Sequence, residues 1–150
     1  MTEKQTFEQA LKACGSFVAP AKGESMRPLI RPGRDLVEIS RKGPERCRKY
    51  DVALYRRDGK VVLHRVLQVR PEDYVMAGDH QIEKETGVTD EQILGVLSAV
   101  IRNGRRVAVT DRGYRVYVRV WCVLFPVRRA IRRGKAAALR IMKRKGGKRP

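Results

Sequence analysis

The chain has 150 residues, of which 42% are apolar, so it can build one ordinary hydrophobic core. Its 34 basic and 16 acidic side chains give a net charge of +18. All acidic residues lie at or before Asp111, whereas fourteen basic residues follow it. This distribution predicts a nearly balanced β domain over residues 1–111 and a basic, partly amphipathic helical tail over residues 112–150. Such a tail favours anionic partners.

The same composition argues against secreted, membrane-spanning and metal-binding proteins. Cys14, Cys47 and Cys122 form no metal-ligand spacing, and an odd number of scattered cysteines is typical of a reducing compartment. The polar N-terminus lacks the apolar segment of a signal peptide. The longest apolar stretch, 116–127, is too short to span a bilayer. We therefore expect a cytoplasmic protein with no cofactor and no metal.

The N-terminal third is predicted to contain one helix, a loop and a strand. "TFEQALKACG" is typical of a short helix that Thr6 caps and Gly15 ends. Prolines and glycines break residues 16–32, which predicts a loop with at most one helical turn near Ser25. "DLVEIS", from Asp35, predicts a strand.

Two hairpins follow, each with a dipeptide that accepts positive φ angles at its tip. β-rich segments flank Asp58-Gly59 in the first hairpin and Asn103-Gly104 in the second. "YVMAGD" between them predicts another strand. About six strands are expected before residue 110, which makes the fold mainly β.

The tail carries both strand-like alternation and helical spacing. Its helix-forming composition favours a helix from about Gly113, broken near Pro126, and then a basic amphipathic helix to about Lys145. The final "GGKRP" is expected to be disordered.

Ser25 and His64 are the residues that could carry chemistry together. A strand histidine alone is more often structural, and most loop serines are solvated or cap a turn. A serine hydroxyl needs a base within hydrogen-bonding reach to act as a nucleophile, and imidazole is the usual base. A serine loop leading into a sheet, with a histidine on a nearby strand, can meet that need.

Three segments carry a resemblance to a known family. "GESMRPLIRPGRDLVEI", "KYDVALYRRDGKVVLHRVLQV" and "YVMAGDH" occur in that order over residues 23–80. They resemble the nucleophile box, the next two strands and the Gly-Asp box of the type I signal peptidase clan, and the resemblance extends from Gly23 to about Val100. Members of that clan use either lysine or histidine as the base, and His64 places this chain with the endoplasmic-reticulum and archaeal type.

The resemblance implies a fold of signal-peptidase-like coiled antiparallel sheets and a set of roles. Ser25 would be the nucleophile, His64 the general base and Asp79 the acid that orients the imidazole. A structural alternative for Asp79 is a carboxylate that caps a turn after Gly78. The implied substrate is an extended precursor or leader peptide, bound as an added strand.

The nucleophile box departs from the family pattern at two positions. Many signal peptidases have a serine two residues before the nucleophile, where this chain has Gly23. The oxyanion would then depend on backbone N–H groups, and Gly23 and Met26 are assigned to oxyanion and substrate binding. Glu24, beside Ser25, is expected to face solvent.

The histidine branch of the clan often has a second acid soon after the Gly-Asp box. Glu83, Glu85 and Asp90 are all candidates in this sequence. The sequence alone does not choose among them.

The tail could replace the membrane anchor that signal peptidases usually carry. Apolar side chains would enter a headgroup layer while arginines bind anionic lipid on the inner face of the membrane. The predicted contacts are Trp121, Leu124, Phe125, Arg128, Arg129, Arg132 and Arg133. The alternative is that residues 116–124 cover one end of the sheet and a solvated basic helix follows.

We predict a serine endopeptidase that cleaves a leader or signal-like peptide. One alternative is a self-cleaving regulator of the SOS-repressor type, against which stand the missing helix-turn-helix domain and the histidine base. The other is a non-catalytic basic module on membrane or nucleic acid. Nucleic acid is disfavoured because aromatic residues do not alternate with the arginines and lysines of the tail.

Overall fold

The protein, described here from a computed structural model, is mainly β. The structure describes residues 3–146, with side chains over 7–143. In that range, eight antiparallel strands form one curled, half-barrel sheet, with one helix before it and two after it. The strands are β1 (Ser16–Pro20), β2 (Asp35–Arg41), β3 (Val52–Arg57), β4 (Lys60–Val69), β5 (Tyr74–Ala77), β6 (Glu85–Val88), β7 (Ile93–Arg102) and β8 (Arg105–Ala108). The helices are α1 (Glu3–Cys14), α2 (Arg112–Val123) and α3 (Phe125–Gly146). The predicted fold class is confirmed.

The strand order places two edges near the predicted site. The order is β1-β2-β7-β3-β4-β5-β6, with β8 paired to β7. β1 is therefore an edge strand that pairs only with β2. The first part of β4, residues 60–64, pairs with β3 but lies beyond the segment that pairs with β5.

Both hairpins have the predicted turns. Asp58 and Gly59 have φ angles of 47° and 75°, and Asn103 and Gly104 have 50° and 76°. Asparagine, aspartate and glycine are the residues that accept this left-handed region at least cost.

The structure corrects three local predictions. Thr6 lies inside α1, which begins at Glu3, so Thr6 does not cap the helix, although Gly15 does end it with a φ of 75°. Residues 16–20 form β1 rather than a loop. β6 was also missed. Both strands are short, and Val88 is the one buried residue between them, so neither has the apolar alternation that identifies a half-buried strand.

The core lies on both faces of the curled sheet. One cluster includes Leu11 of α1, Ile39 of β2 and Val118 of α2. The other includes Tyr55 of β3 and Tyr74 of β5. Each buried aliphatic side chain contributes about 1.5–3 kcal/mol through loss of its apolar surface from water.

The tail forms two helices, as predicted. α2 ends at Val123 and α3 begins at Phe125, with Pro126 in the first turn of α3, where its missing N–H costs no hydrogen bond. No helix within residues 3–146 is both long enough and apolar enough to cross a bilayer. The disorder predicted for "GGKRP" falls mostly on residues 147–150, outside the described residues, while Gly146 belongs to α3.

Candidate active site

Ser25 lies in a compact turn between β1 and β2. Gly23 opens the turn with a φ of 75°, and the N–H of Arg27 donates to the carbonyl of Glu24 at 3.2 Å. Met26, only 4% exposed, anchors the turn in the core and leaves Ser25 half-buried beside it. The turn therefore holds the serine firmly against the sheet.

The Gly-Asp segment is in direct contact with this turn. The N–H of His80 donates to the carbonyl oxygen of Ser25 at 2.8 Å. A Cβ on Gly78 would lie 2.5 Å from that carbonyl oxygen and 2.9 Å from the Ser25 Cβ. Only glycine fits at position 78 without a shift of the backbone.

His64 lies on β4, next to the same contact. Arg65, the next residue of β4, pairs with Ala77 of β5, and the pairing of these strands ends there. Gly78, which Ser25 covers, follows Ala77. The serine turn and His64 therefore lie at the same end of the β4–β5 pair.

The ring of His64 is held through Nδ1 by a tyrosine and an acid. The Tyr55 hydroxyl lies 3.0 Å from Nδ1 and donates its proton to Glu85 Oε2 at 2.6 Å. Glu85 Oε1 is itself 3.4 Å from Nδ1. Because the single Tyr55 proton goes to the carboxylate, its oxygen can only accept from Nδ1–H. This network assigns the Nδ1–H tautomer and leaves Nε2 with a free lone pair.

His64 is only 3% exposed, and this burial lowers the pKa of its imidazole. The negative charges of Glu85 and Asp79 act in the opposite direction, while Arg57 adds to the lowering. The net result is a ring that is neutral near pH 7, the form that a general base requires.

The predicted orienting acid, Asp79, is engaged elsewhere. Its carboxylate accepts two hydrogen bonds from Arg65, at 2.7 and 2.8 Å, and a third from the Tyr117 hydroxyl at 3.3 Å. Both Asp79 and Arg65 are buried. No hydrogen bond joins Asp79 to His64 in the described part of the chain, so the orienting role of Asp79 stays a prediction.

Among the three candidates for a second acid, Glu85 is the one at the imidazole. Asp90 accepts from the Tyr74 hydroxyl at 2.5 Å and pairs with Lys42 and Arg46. Glu83 is exposed. Of the three, Glu85 alone contacts His64 among the described side chains, and its role as a second acid stays a prediction.

No hydrogen bond between Ser25 Oγ and His64 is present among the described side chains. Contacts of this kind are commonly long in the absence of substrate and shorten when it binds. None of the described hydrogen bonds uses the Ser25 N–H, so that group is free to face an incoming oxygen. Glu24 is exposed and pairs with Arg27 at 2.7 Å, which agrees with the expectation that it faces solvent.

A largely apolar cleft of about 610 Å³ opens at Ser25. One wall comes from the edge strand β1, the other from the free part of β4, and the floor from the core. The residues lining it include Phe17, Ala19, Gly23, Ser25, Met26, Ile39, Leu54, Val61 and Leu63. Gly23 and Met26, predicted to bind oxyanion or substrate, thus share this cleft with the serine.

The tail residues predicted to contact lipid are divided by the structure. Trp121 Nε1 and Arg128 Nη1 both donate to the Asp79 carbonyl, at 3.2 and 2.9 Å. Arg132 bonds the carbonyl and ring of His80. Phe125 is buried. All four side chains contact the domain, but only Trp121 lies in the segment 116–124 that the alternative places on the sheet.

The remaining predicted lipid contacts are less enclosed. Arg133 and Leu124 are exposed, and Arg129 is half-buried. Their contact with lipid stays a prediction.

Sequence reasoning missed Tyr55 and Arg65. Tyr55 is fully buried at the centre of the His64 network, and Arg65 holds Asp79. The adjacent His64-Arg65 pair was a usable signal. Neighbouring residues of a strand face opposite sides of the sheet. Arg65 therefore had to face away from His64 and to find a buried partner of its own.

No protein-family model and no curated protein sequence matches the chain. The resemblance to the signal peptidase clan therefore depends on the three sequence segments quoted above. Within residues 7–143, no group of three or more histidine, cysteine or acidic side chains could hold a metal ion.

Proposed function

We propose that the protein is a serine endopeptidase in which Ser25 is the nucleophile and His64 the general base. The observation that carries the proposal is the hydrogen-bonded chain from Glu85 through Tyr55 to Nδ1 of His64. This hydrogen-bonded chain supports a neutral imidazole with Nε2 free, at the end of the β4–β5 pair beside which Ser25 lies.

In the proposed reaction, Ser25 Oγ attacks the carbonyl carbon of the scissile bond while its proton passes to His64 Nε2. The tetrahedral intermediate collapses when Nε2–H gives that proton to the leaving amine. Water then attacks the acyl-enzyme with the same base, which releases the second product and restores the Ser25 hydroxyl.

Glu85 and Tyr55 would support the charged form of the ring. When His64 becomes an imidazolium, the nearby Glu85 carboxylate stabilises its positive charge. Tyr55 accepts a hydrogen bond from Nδ1–H and so keeps the ring in the tautomer in which Nε2 is unprotonated and can act as the base. In this assignment Glu85 takes the orienting role, while Asp79 and Arg65 fix the Gly-Asp segment behind Ser25.

The oxyanion would be stabilised by the free N–H of Ser25. A single preorganised donor of this type is worth about 3–4 kcal/mol in the transition state. Gly23, with its positive φ, keeps the approach to that N–H open because it has no side chain.

The cleft supports an extended peptide as substrate. Both of its walls are strand edges, with unpaired backbone groups that can bind an added strand. Its small, apolar lining at Ala19 and Gly23 fits small side chains near the scissile bond. A dedicated precursor or leader peptide is the substrate class that we propose.

The test is cleavage of a peptide library prepared from a whole proteome, with new termini identified by mass spectrometry. We expect the wild-type protein to generate a consistent set of cuts in extended sequences. Ser25→Ala and His64→Gln should each lower the rate by at least about 1,000-fold while circular dichroism stays unchanged. Undiminished cleavage by the Ser25→Ala variant would exclude the proposed nucleophile.

A second role, peripheral membrane binding, is favoured by one observation on the tail. Exposed apolar side chains recur at helical spacing along one side of α2 and the start of α3: Val116, Val120, Val123, Val127 and Ile131. Basic residues surround them, and no acidic residue follows Asp111. We propose that this stripe, rather than Trp121 and Phe125, contacts an anionic bilayer.

A further inference from the structure

A second pocket, of about 450 Å³, lies next to the residues that follow Ser25 in its turn. Four arginines line it: Arg27 and Arg31 from the turn, and Arg128 and Arg132 from α3. The indole of Trp121 forms part of its wall, with the Arg128 guanidinium stacked 3.6 Å from the ring centroid. We call it the arginine pocket.

The positive charge of the arginine pocket is not balanced by its own acids. Asp79 is the one acidic residue among the described residues that line it, and both carboxylate oxygens of Asp79 are bound by Arg65. Glu24, nearby, is exposed and pairs with Arg27. Three guanidinium groups therefore remain without a carboxylate.

Each of these three groups has donors left for a ligand. The Arg31 guanidinium makes no hydrogen bond or ion pair with any described residue. Arg132 bonds only the carbonyl and ring of His80. Arg128 bonds two carbonyl oxygens, and its buried Nε has no partner among the described atoms. Burial lowers the pKa of Arg128, although the negative charge of Asp79 acts in the opposite direction.

The pocket is close to the proposed nucleophile. Arg27 is two residues from Ser25, which limits their Cα separation to about 7 Å. On the opposite wall, His80 donates its N–H to the Ser25 carbonyl. A peptide bound in the cleft would reach the arginine pocket with a residue two or three positions from the scissile bond, since an extended chain advances about 3.3 Å per residue.

We infer that the arginine pocket binds a carboxylate, and that this is an acidic side chain of the peptide substrate close to the cut. Planar guanidinium groups match the two oxygens of a carboxylate, and such charge-assisted hydrogen bonds are among the strongest in proteins. The peptide part of this inference rests on the proposed function. The carboxylate part does not.

Trp121 is the single tryptophan of the chain, so its fluorescence reports directly on the pocket. The experiment titrates the full-length Ser25→Ala protein at constant ionic strength with N-acetylglutamate amide. The neutral isostere N-acetylglutamine amide and inorganic phosphate are titrated in parallel. We expect a saturable change with the glutamate derivative and none with the glutamine derivative.

Arg31→Gln and Arg132→Gln should each weaken the affinity for the glutamate derivative by about tenfold. Arg105→Gln, an exposed arginine of β8 outside the pocket, is the matched control and should leave the affinity unchanged. An equal response to the glutamine derivative, or an equal loss in Arg105→Gln, would overturn the inference. Tighter binding of phosphate than of the glutamate derivative would overturn the carboxylate assignment.

The cleavage library separates this inference from the proposed function. If both hold, the wild-type cuts are enriched in aspartate or glutamate near the scissile bond, and Arg31→Gln removes that enrichment. Cleavage without any acidic preference would overturn the substrate part of the inference and leave the peptidase proposal standing. Saturable carboxylate binding without any cleavage would overturn the peptidase proposal and leave the carboxylate site standing.

Discussion

Gly78 and Ser25 are packed so closely that a methyl group on Gly78 would lie 2.5 Å from the Ser25 carbonyl oxygen. Real Cβ atoms are not found at that distance, so any side chain at position 78 would push the serine turn away from the sheet. The position of Ser25 relative to His64 therefore depends on residue 78 being glycine, which has no side chain.

We predict that Gly78→Ala lowers peptidase activity by at least about 100-fold, because misplacing the nucleophile by about 1 Å has an effect of that size. Gly43→Ala is the matched control, since a Cβ there has no neighbour within 4 Å and the backbone φ is not positive. The rates of cleavage of one library-derived peptide would be compared, with thermal unfolding as the check on folding. Equal rates for both variants would contradict the proposed packing.

The Glu85 carboxylate raises the pKa of His64 against the lowering by burial. The active form is the neutral ring, so activity should be present above the His64 pKa and be lost as the pH falls through it. We predict a wild-type acid limb with its midpoint below 6.5, the usual value for histidine.

In Glu85→Gln the midpoint should move to still lower pH, because the carboxylate no longer favours the protonated ring. Its kcat should fall by about 10- to 100-fold, because the imidazolium of the transition state loses its partner. The profile of kcat/KM against pH measures both effects. A midpoint that stays in place or rises would contradict the role of Glu85.

Tyr55→Phe removes the acceptor for Nδ1–H but keeps the packing of the ring. We expect about a tenfold loss of kcat with little change in KM, because the substrate does not touch Tyr55. Tyr117→Phe is a matched control, since its hydroxyl bonds Asp79 at 3.3 Å and not His64. A similar loss of kcat in both variants would indicate a general effect of removing a hydroxyl.

Asp79→Asn should act mainly on stability. It leaves the charge of Arg65, which is 1% exposed, without a buried partner, and breaking such a pair costs about 3–5 kcal/mol. Asp58→Asn is the control, because the Asp58 side chain is 92% exposed and should contribute almost nothing. Urea unfolding measures both free energies. If Asp79→Asn instead keeps full stability and shifts the pH profile as Glu85→Gln does, Asp79 is the orienting acid.

The exposed stripe of α2 predicts binding to anionic vesicles. Val123, which is 70% exposed, is the most exposed of its members. Val123→Asp should weaken binding to vesicles of phosphatidylserine and phosphatidylcholine by about tenfold, because a negative charge replaces an apolar side chain that would enter the bilayer. Val69→Asp, on β4 outside the tail, is the control. Undiminished binding of the Val123 variant would place the contact elsewhere.

Local chemistry made much of the fold predictable. Asp58-Gly59 and Asn103-Gly104 identified both hairpins because few other dipeptides accept positive φ at low cost. Pro126 marked the break between α2 and α3. β1 could not be found because an exposed edge strand carries no apolar pattern, and its existence depends on pairing with β2.

The site was predictable only in part. The sequence patterns around Ser25 and His64 were enough to predict that these two residues act together. The contacts between side chains were not predictable, because they depend on the curl of the whole sheet. Glu85 reaches His64 only because β6 pairs with β5. Trp121 and Arg128 were predicted on a bilayer from the apolar and basic composition of the tail, which does not distinguish a membrane from the surface of the protein's own domain.

The proposed general base is tested most directly by the protonation state of His64, observed by nitrogen-15 NMR of the imidazole. The chain has only two histidines, and a His80→Gln variant assigns their signals. At pH 7.5 we predict a neutral ring with its proton on Nδ1 and Nε2 unprotonated. A ring charged at that pH, or one with its proton on Nε2, would contradict a general base directed at Ser25.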